Sequence, residues 1–326
     1  MLETMRKASK GWLAAIMIFL LIGSFAIWGV QDALNMTSTQ AVGAVRRAFN
    51  AQKAGHAGTL DPLATGILPI ALGEATKTVP FAVDGEKAYR FTVAWGAETN
   101  TDDTEGTVTK TSDTRPTVED IEALLPRFHG EVSQVPPAFS AIKVAGERAY
   151  DLARSGEEVV LEARTVIIKR LALVEQPDDA TSVFEAECGK GTYVRAIARD
   201  LGRLLGCYGH VIALRRTRVG PFDEARAISM EAIQEAAKQN EANEAGGGDA
   251  LGRLLAPVES ALSDLPELLV TPADAASLTR GQAILIRGRD APVMSGPAFA
   301  TSKGRLIALG ELDKGALHPT RVFNLG

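Results

Sequence analysis

Apolar and polar positions follow three different patterns along this chain. Near the N-terminus, Gly11 to Val30 (GWLAAIMIFLLIGSFAIWGV) is apolar and carries no charge. As a helix rising about 1.5 Å per residue it would cross a hydrocarbon core. Apolarity on all faces predicts a lipid environment, and Trp12 and Trp28 sit near its two ends, where interfacial aromatics belong. Arg6, Lys7 and Lys10 precede the run, and the next basic residue is Arg46. A membrane anchor is therefore expected. A secretory signal peptide, which lacks a convincing small-x-small cleavage site here, and a buried core helix are the alternatives.

The middle of the chain shows short periodicities. Thr37-Ser38-Thr39-Gln40 reads as a capping box opening a helix, with Val42, Val45 and Phe49 on its apolar face beside Arg46 and Arg47. Tyr89, Phe91, Val93 and Trp95 alternate with Arg90, Thr92 and Ala94, which predicts a half-buried strand ended by Gly96. Asn100 to Gly106 reads as an acidic loop and Val118 to Phe128 as a short helical stretch. Strands are expected over Thr165 to Val174 and Ser182 to Cys188, the second entering a Gly189-Lys190-Gly191-Thr192 turn. A helix then runs from about Tyr193 to Leu205, with Val194, Ile197, Leu201 and Leu204 inward and Arg195, Arg199 and Arg203 on another face. Leu214 to Val219 is an arginine-dense strand. The third pattern is aperiodic: Gln239 to Asp249 is a polar, Gly-rich linker, and Leu254 to Gly326 carries short strand signals among many glycines.

The composition, 46% hydrophobic and 23% charged over 326 residues, is that of a globular protein with ample core. A net charge of -5 argues weakly against nucleic-acid binding, because phosphate contact depends on where basic residues cluster. Between Gly189 and Val219 there are seven Lys or Arg against one acid, Asp200, so a local basic surface is expected from Arg195, Arg199 and Arg203 together with Arg215, Arg216 and Arg218. A merely solvated helix face is the alternative for Arg199 and Arg203. Cys188 and Cys207 make no metal signature with the four histidines and read as small core residues of a reduced protein.

Asp61 lies between a Gly-containing loop and a Pro-bounded apolar segment, where backbone can approach a ligand and hold a carboxylate. Taken alone, an Asp before Pro is more often a turn or a helix cap. The stretch Gly55 to Leu68 (GHAGTLDPLATGIL) nevertheless resembles the catalytic loop of the TruB family of tRNA pseudouridine synthases. The resemblance continues in order through Lys87 to Phe91, Thr99 to Asp102, Gln134 to Lys143, Ala149 to Arg154, Gly189 to Arg195 and Leu214 to Phe222.

The resemblance implies an α+β pseudouridine-synthase fold, with a mixed, largely antiparallel sheet and a central RNA cleft. It implies domains at 36–238 (catalytic), 239–250 (linker) and 251–326 (small, β-rich, PUA-like), behind an apolar N-terminal helix in 1–35. Asp61 would be the nucleophile, attacking either the ribose or the uracil ring, with Arg195 keeping it ionised and oriented. Tyr89 would stack on the flipped base and assist rearomatisation. Tyr193 and Leu214 would complete the pocket walls, and His56 would support base flipping. Lys143 and Arg154 fall in the family's RNA-clasping insertion, and Arg215, Arg216 and Arg218 would meet phosphates. The expected partner is the T-arm stem-loop of tRNA, bound by a monomer needing no metal or small-molecule cofactor. Rivals are a tRNA-binding or tRNA-folding module that no longer catalyses, and a membrane-anchored chimera.

One departure stands out. The family opens with a Gly-x-Leu-x-x-x-Lys-Pro-x-Gly strand, and here Ile27 to Asn35 stands in its place. The first 34 residues resemble the anchor of PpiD-type periplasmic peptidyl-prolyl isomerases. Basic residues before the run predict a periplasm-facing chain, whereas tRNA implies the cytoplasm and, at most, an inner-membrane anchor through residues 11–30. The competing expectation is that the apolar run folds back and replaces the missing strand.

Overall fold

The computed structural model describes residues 25–31, 36–144, 146–157, 159–242, 249–286 and 295–325. The chain divides into two compact units: one of residues 1–59, 68–83 and 220–326, the other of 60–67 and 84–219.

The second unit is built on an antiparallel sheet in which Gly209–Val219, Lys87–Trp95, Thr181–Cys188, Arg164–Asp178 and Gly130–Gln134 lie side by side in that order. A three-residue strand, Ala64–Gly66, runs parallel to Leu214–Arg216, so the sheet is mixed but largely antiparallel. Alternation predicted the Lys87–Trp95 strand correctly: Phe91, Val93 and Trp95 are buried, and they pack with Phe184 of the neighbouring strand into the unit's core. The helix Val194–Leu204 covers this core through Val194, Ile197, Ala198 and Leu201. Leu204, expected inward, is 45% exposed. Gly202 permits the close return of the chain, since a Cβ there would stand 2.4 Å from the Gly209 nitrogen.

The first unit contains a sheet with the order Ile228–Ser229, Phe25–Gln31, Leu68–Leu72, Ala54–His56. The Thr37 capping box forms as expected and starts the helix Ser38–Ala48, which buries Ala41 and Val45 and exposes Arg46 and Arg47. Toward the C-terminus a five-stranded sheet runs Glu267–Leu269, Gly296–Ser302, Arg305–Asp313, Ala316–Val322, Ile284–Leu285 around its own apolar cluster. The helix Met230–Ala242 occupies the first positions of the expected linker.

The N-terminal expectation needs correction. Phe25–Gln31 is a strand: it pairs antiparallel with Leu68–Leu72 and with Ala256–Pro257, and parallel with Ile228–Ser229. A spanning helix over the whole of Gly11 to Val30 is thereby ruled out, because a strand lined by partners on both sides satisfies its backbone through neighbours. Residues 11–24 of that expected anchor lie outside the described residues. Among the described residues, no helix is long and apolar enough to cross a membrane.

Candidate active site

Asp61 owes its position to a turn and a clamp. The Ala64 N–H donates to the Asp61 carbonyl (2.9 Å), closing a four-residue turn with Pro62 in the second place, where its fixed φ suits the bend. Directly beyond, Gly66 has φ +95°, and a Cβ there would meet the Arg216 carbonyl oxygen at 2.2 Å, so only glycine fits. The Ile67 N–H donates to the Arg216 carbonyl (2.8 Å), and Arg216 Nε–H donates back to the Ile67 carbonyl (2.9 Å). The exit of the loop is thus held from both sides by one residue.

Arg195 meets the Asp61 carboxylate as a fork, Nε to Oδ2 at 2.9 Å and Nη2 to Oδ1 at 3.1 Å. Its other N–H groups go to the carbonyls of Thr101 (2.8 Å) and Phe139 (3.0 Å) and to Asp103 Oδ2 (3.2 Å). Five contacts match the five donors of a guanidinium. Arg195 is therefore fully committed, and its side chain is only 5% exposed, whereas Asp61 retains 31%. A carboxylate fixed from behind and open in front can act on a ligand. Burial opposes the Arg195 charge, but Asp61 and Asp103 outweigh it and raise its pKa.

Behind the fork lies a second buried pairing. Arg199 donates to Asp200 Oδ1 (2.9 Å), Asp102 Oδ2 (3.0 Å) and the Val135 carbonyl (2.7 Å). Arg203 reaches both oxygens of Glu98, at 2.6 and 2.9 Å. The expected phosphate-binding surface on this helix is thereby corrected at two positions: Arg195 and Arg199 are buried and ion-paired inside the protein, while Arg203 is exposed and pairs with the buried Glu98. A guanidinium out of water must be neutralised and hydrogen-bonded, and the expected acidic loop supplies Asp102 and Asp103, with Glu98 just before it and Asp200 on the helix itself. Asp102 and Asp103 are buried, Asp102 with φ +61°. Burial pushes the Asp102 carboxyl up to about 6 against the pull of Arg199 and Arg195.

The sequence reading missed these two aspartates. Glu98 and Asp102 are four apart, like the Arg203 and Arg199 they meet, but they lie in a strand and a turn, so no helical periodicity marks them.

Arg216 is corrected as well. It is 2% exposed, among the largest fully buried side chains, and unavailable to a phosphate. Its guanidinium hydrogen-bonds the Tyr89 hydroxyl, and burial lowers its pKa. Tyr89 itself packs against the core beside Asp61, and burial pushes its phenol up to about 12, Arg216 notwithstanding. Leu214 is buried in the same core, next to Phe91 and Ala64 across the sheet. Tyr193 precedes the arginine helix; Gln134 bonds both its N–H (2.9 Å) and its carbonyl (3.2 Å). Its phenol lies in the fields of Asp61 and Arg195.

Asp61, Tyr89, Arg195, Tyr193 and Leu214 thus gather in one unit. Arg215 is half-buried, with Nη1 3.5 Å from Thr65 Oγ1, and Arg218 pairs with Glu187 at 3.0 Å. Lys143 and Arg154 are exposed on the excursion between the Gly130–Gln134 and Arg164–Asp178 strands, Arg154 lying over the Tyr150 ring at 4.6 Å. His56 is half-buried at the end of the Ala54–His56 strand in the first unit.

The TruB family pseudouridylate synthase (N-terminal domain) model matches residues 46–194, a span that contains Asp61, Tyr89 and the Asp102–Asp103 pair. The tRNA pseudouridylate synthase B C-terminal domain matches 195–263, beginning at Arg195. The "tRNA pseudouridine synthase B" of Rhodopseudomonas palustris is 62% identical over 299 residues, covering 91% of this chain and 81% of that protein. This chain belongs to the TruB family. A relative of the same name from Nitrobacter winogradskyi is 63% identical, covering 91% of this chain and 82% of its own. Among solved structures, a chain of the "Crystal Structure of a Cbf5-Nop10-Gar1 Complex" superposes with a TM-score of 0.74 at 25% identity, covering 94% of this chain and 86% of that one. The chain therefore has a pseudouridine-synthase fold. The N-terminus adds a second match: residues 1–52 fit a SurA-like N-terminal domain.

Proposed function

We propose that this TruB-family enzyme is a tRNA pseudouridine synthase that isomerises the T-arm uridine at position 55. The observation that carries the reading is the saturated Arg195 fork on a carboxylate left partly open, Asp61. Asp61 attacks the ribose or the uracil ring, the base detaches from N1, turns, and rejoins the sugar through C5. The C5 proton leaves to solvent and N1 gains one, so the isomerisation balances without an oxidant. Arg195 acts through Asp61 by holding it ionised and aimed. Tyr89 stacks on the base; with its phenol pushed up to about 12 it enters as a neutral hydroxyl, so rearomatisation by Tyr89 needs its proton passed on within the site.

His56 supports the flipped conformation, Tyr193 and Leu214 wall the pocket, and Lys143, Arg154, Arg215 and Arg218 face the RNA in its cleft. In this reading residues 36–238 form the catalytic domain, 239–250 the linker and 251–326 a PUA-like RNA-contacting domain, and the enzyme works as a cytoplasmic monomer. A membrane anchor would have to rest on Gly11–Ser24, about 14 residues against the roughly 20 a span requires.

The test is tritium release from T-arm RNA bearing [5-3H]uridine. The wild-type protein should release tritium, and Asp61→Asn should release none while binding the RNA within a few-fold. Binding without release by the wild type would leave an RNA-binding module instead.

A further inference from the structure

The strand Arg164–Asp178 alternates at its start. Val166 and Ile168 are buried in the core that the helix Val194–Leu204 covers, whereas Thr165 and Ile167 are exposed. Side chains two apart share a face of a sheet, so Arg164 projects to the same side as Val166 and Ile168, one step beyond the end of the core. Its partner across the ladder is Gln134, which is buried and whose side chain bonds both the N–H and the carbonyl of Tyr193. Tyr193 directly precedes the helix that carries Arg195. Arg164 is thus brought to the end of the unit where Arg195 holds Asp61.

Its charge is felt there. Burial raises the pKa of the Tyr193 phenol, Asp61 adds to the rise, and Arg195 and Arg164 oppose it, so three charges act on one ring. The other arginines near the site are committed to the protein: Arg195 to Asp61 and Asp103, Arg199 to Asp102 and Asp200, Arg216 to the Ile67 carbonyl and the Tyr89 hydroxyl. Arg164 is exposed, and among the described residues its guanidinium makes no hydrogen bond or ion pair. An arginine anchored by a strand beside a site, without an acid of its own, offers its planar fork to a ligand, and a phosphate matches that fork.

We propose that Arg164 binds a backbone phosphate flanking the flipped nucleotide whose base enters beside Asp61. The proposal rests on the reading of this site as a pseudouridine synthase and deepens it. A base turned out of its stack points into the site, so its two phosphates stay at the mouth, where the RNA backbone passes. There they come near the Asp61 carboxylate, and like charges repel. Arg195 offsets Asp61 but has no donor left for a phosphate. An exposed arginine on the same face supplies that contact and fixes where the turned-out backbone runs, as phosphate contacts do.

The experiment uses the full chain, wild type and Arg164→Gln, which removes the charge and keeps a polar side chain. T-arm RNAs carry one uncharged methylphosphonate on the 5′ side of the target uridine, on its 3′ side, or at a distant link. Each such link is built from a 2′-deoxynucleotide so that the phosphonate is stable, and the same links with ordinary phosphate are the reference. Kd across salt concentrations and Tm are measured for both proteins. Arg164→Gln should bind the reference RNA about tenfold more weakly, with a salt slope lower by roughly one unit and Tm unchanged. A methylphosphonate at one flanking link should weaken the wild type about tenfold as well, yet change the variant by less than about twofold, because the contact is already gone. At the distant link both proteins should respond alike. Wild-type affinity in Arg164→Gln overturns the proposal. So does a weakened variant that still loses affinity as the wild type does at both flanking links; Arg164 then meets the RNA elsewhere, or holds the fold if Tm falls too. Failure of the underlying reading is distinguishable, because the wild-type chain would then release no tritium from T-arm RNA, whatever the Kd values show.

Discussion

Starting the chain at Met36 instead of Phe25 should unfold the first unit. Phe25–Gln31 lies inside its sheet, with Ala26 opposite Ala71, Ile27 opposite Ile70 and Val30 opposite Leu68 on one side. Ile228 and Ser229 pair with Val30 and Gln31, and Ala256 and Pro257 pair with Ala26 and Phe25. Removing the strand frees about five backbone hydrogen bonds worth roughly 1 kcal/mol each. It also opens an edge of Leu68–Leu72, whose five residues are all buried. The sum, about 5 kcal/mol before any apolar exposure, approaches the whole stability of an ordinary domain. Because the Asp61 turn is joined covalently to Ala54–His56 before it and Leu68–Leu72 after it, activity should fall with the fold. Thermal denaturation and tritium release on chains beginning at residue 25 and at Met36 provide the assay. The longer chain should melt cooperatively and turn over; the shorter should melt at least 10 °C lower, or not cooperatively, and lose most activity. Equal Tm and equal turnover in the two would refute the role of Phe25–Gln31 as a structural strand.

Three further outcomes are expected. Arg199→Ala should destabilise the protein by about 3–5 kcal/mol in urea denaturation, because it strands the buried Asp102, while leaving the salt dependence of RNA binding unchanged; a flatter salt slope would restore the phosphate reading. Gly66→Ala should cost at least about 2 kcal/mol and most activity, since φ +95° and the Arg216 carbonyl both exclude a Cβ; crystals with an undisturbed Asp61 loop would contradict this. Tyr89 has a phenol raised from 10.0 to about 12, so its contribution to stability is intact below pH 10 and is lost as pH rises toward 12. Tyr89→Phe should therefore flatten the alkaline stability profile and remove the latest-titrating phenolate in absorbance near 295 nm, and an unchanged late titration would assign that phenol elsewhere.

Much of the site was legible along the chain because its signals are local. The Pro-bounded Asp61 turn, the Thr37 cap and the inward alternation of Phe91, Val93 and Trp95 depend on neighbours within a few residues. Each therefore survives in any tertiary context that keeps the chain folded. The pairing of Asp61 with Arg195 was also expected, though from the family's motif order, since nothing in a sequence places two residues 134 apart in contact. The fate of the helix arginines was decided only in three dimensions. Helical periodicity puts Arg195, Arg199 and Arg203 on one face but is silent on what that face meets. An acid-rich segment about a hundred residues earlier folds against them and turns an apparent surface into an ion-pair array that is buried at Arg195 and Arg199 and exposed at Arg203. The N-terminal run shows the same division. Hydropathy reads Gly11 to Val30 as lipid-facing, because it weighs side chains and not the unpaired backbone of strands elsewhere. The strands at Leu68–Leu72, Ile228–Ser229 and Ala256–Pro257 leave a slot for one more strand, and the hydrogen-bonding demand of that slot makes Phe25–Gln31 extended.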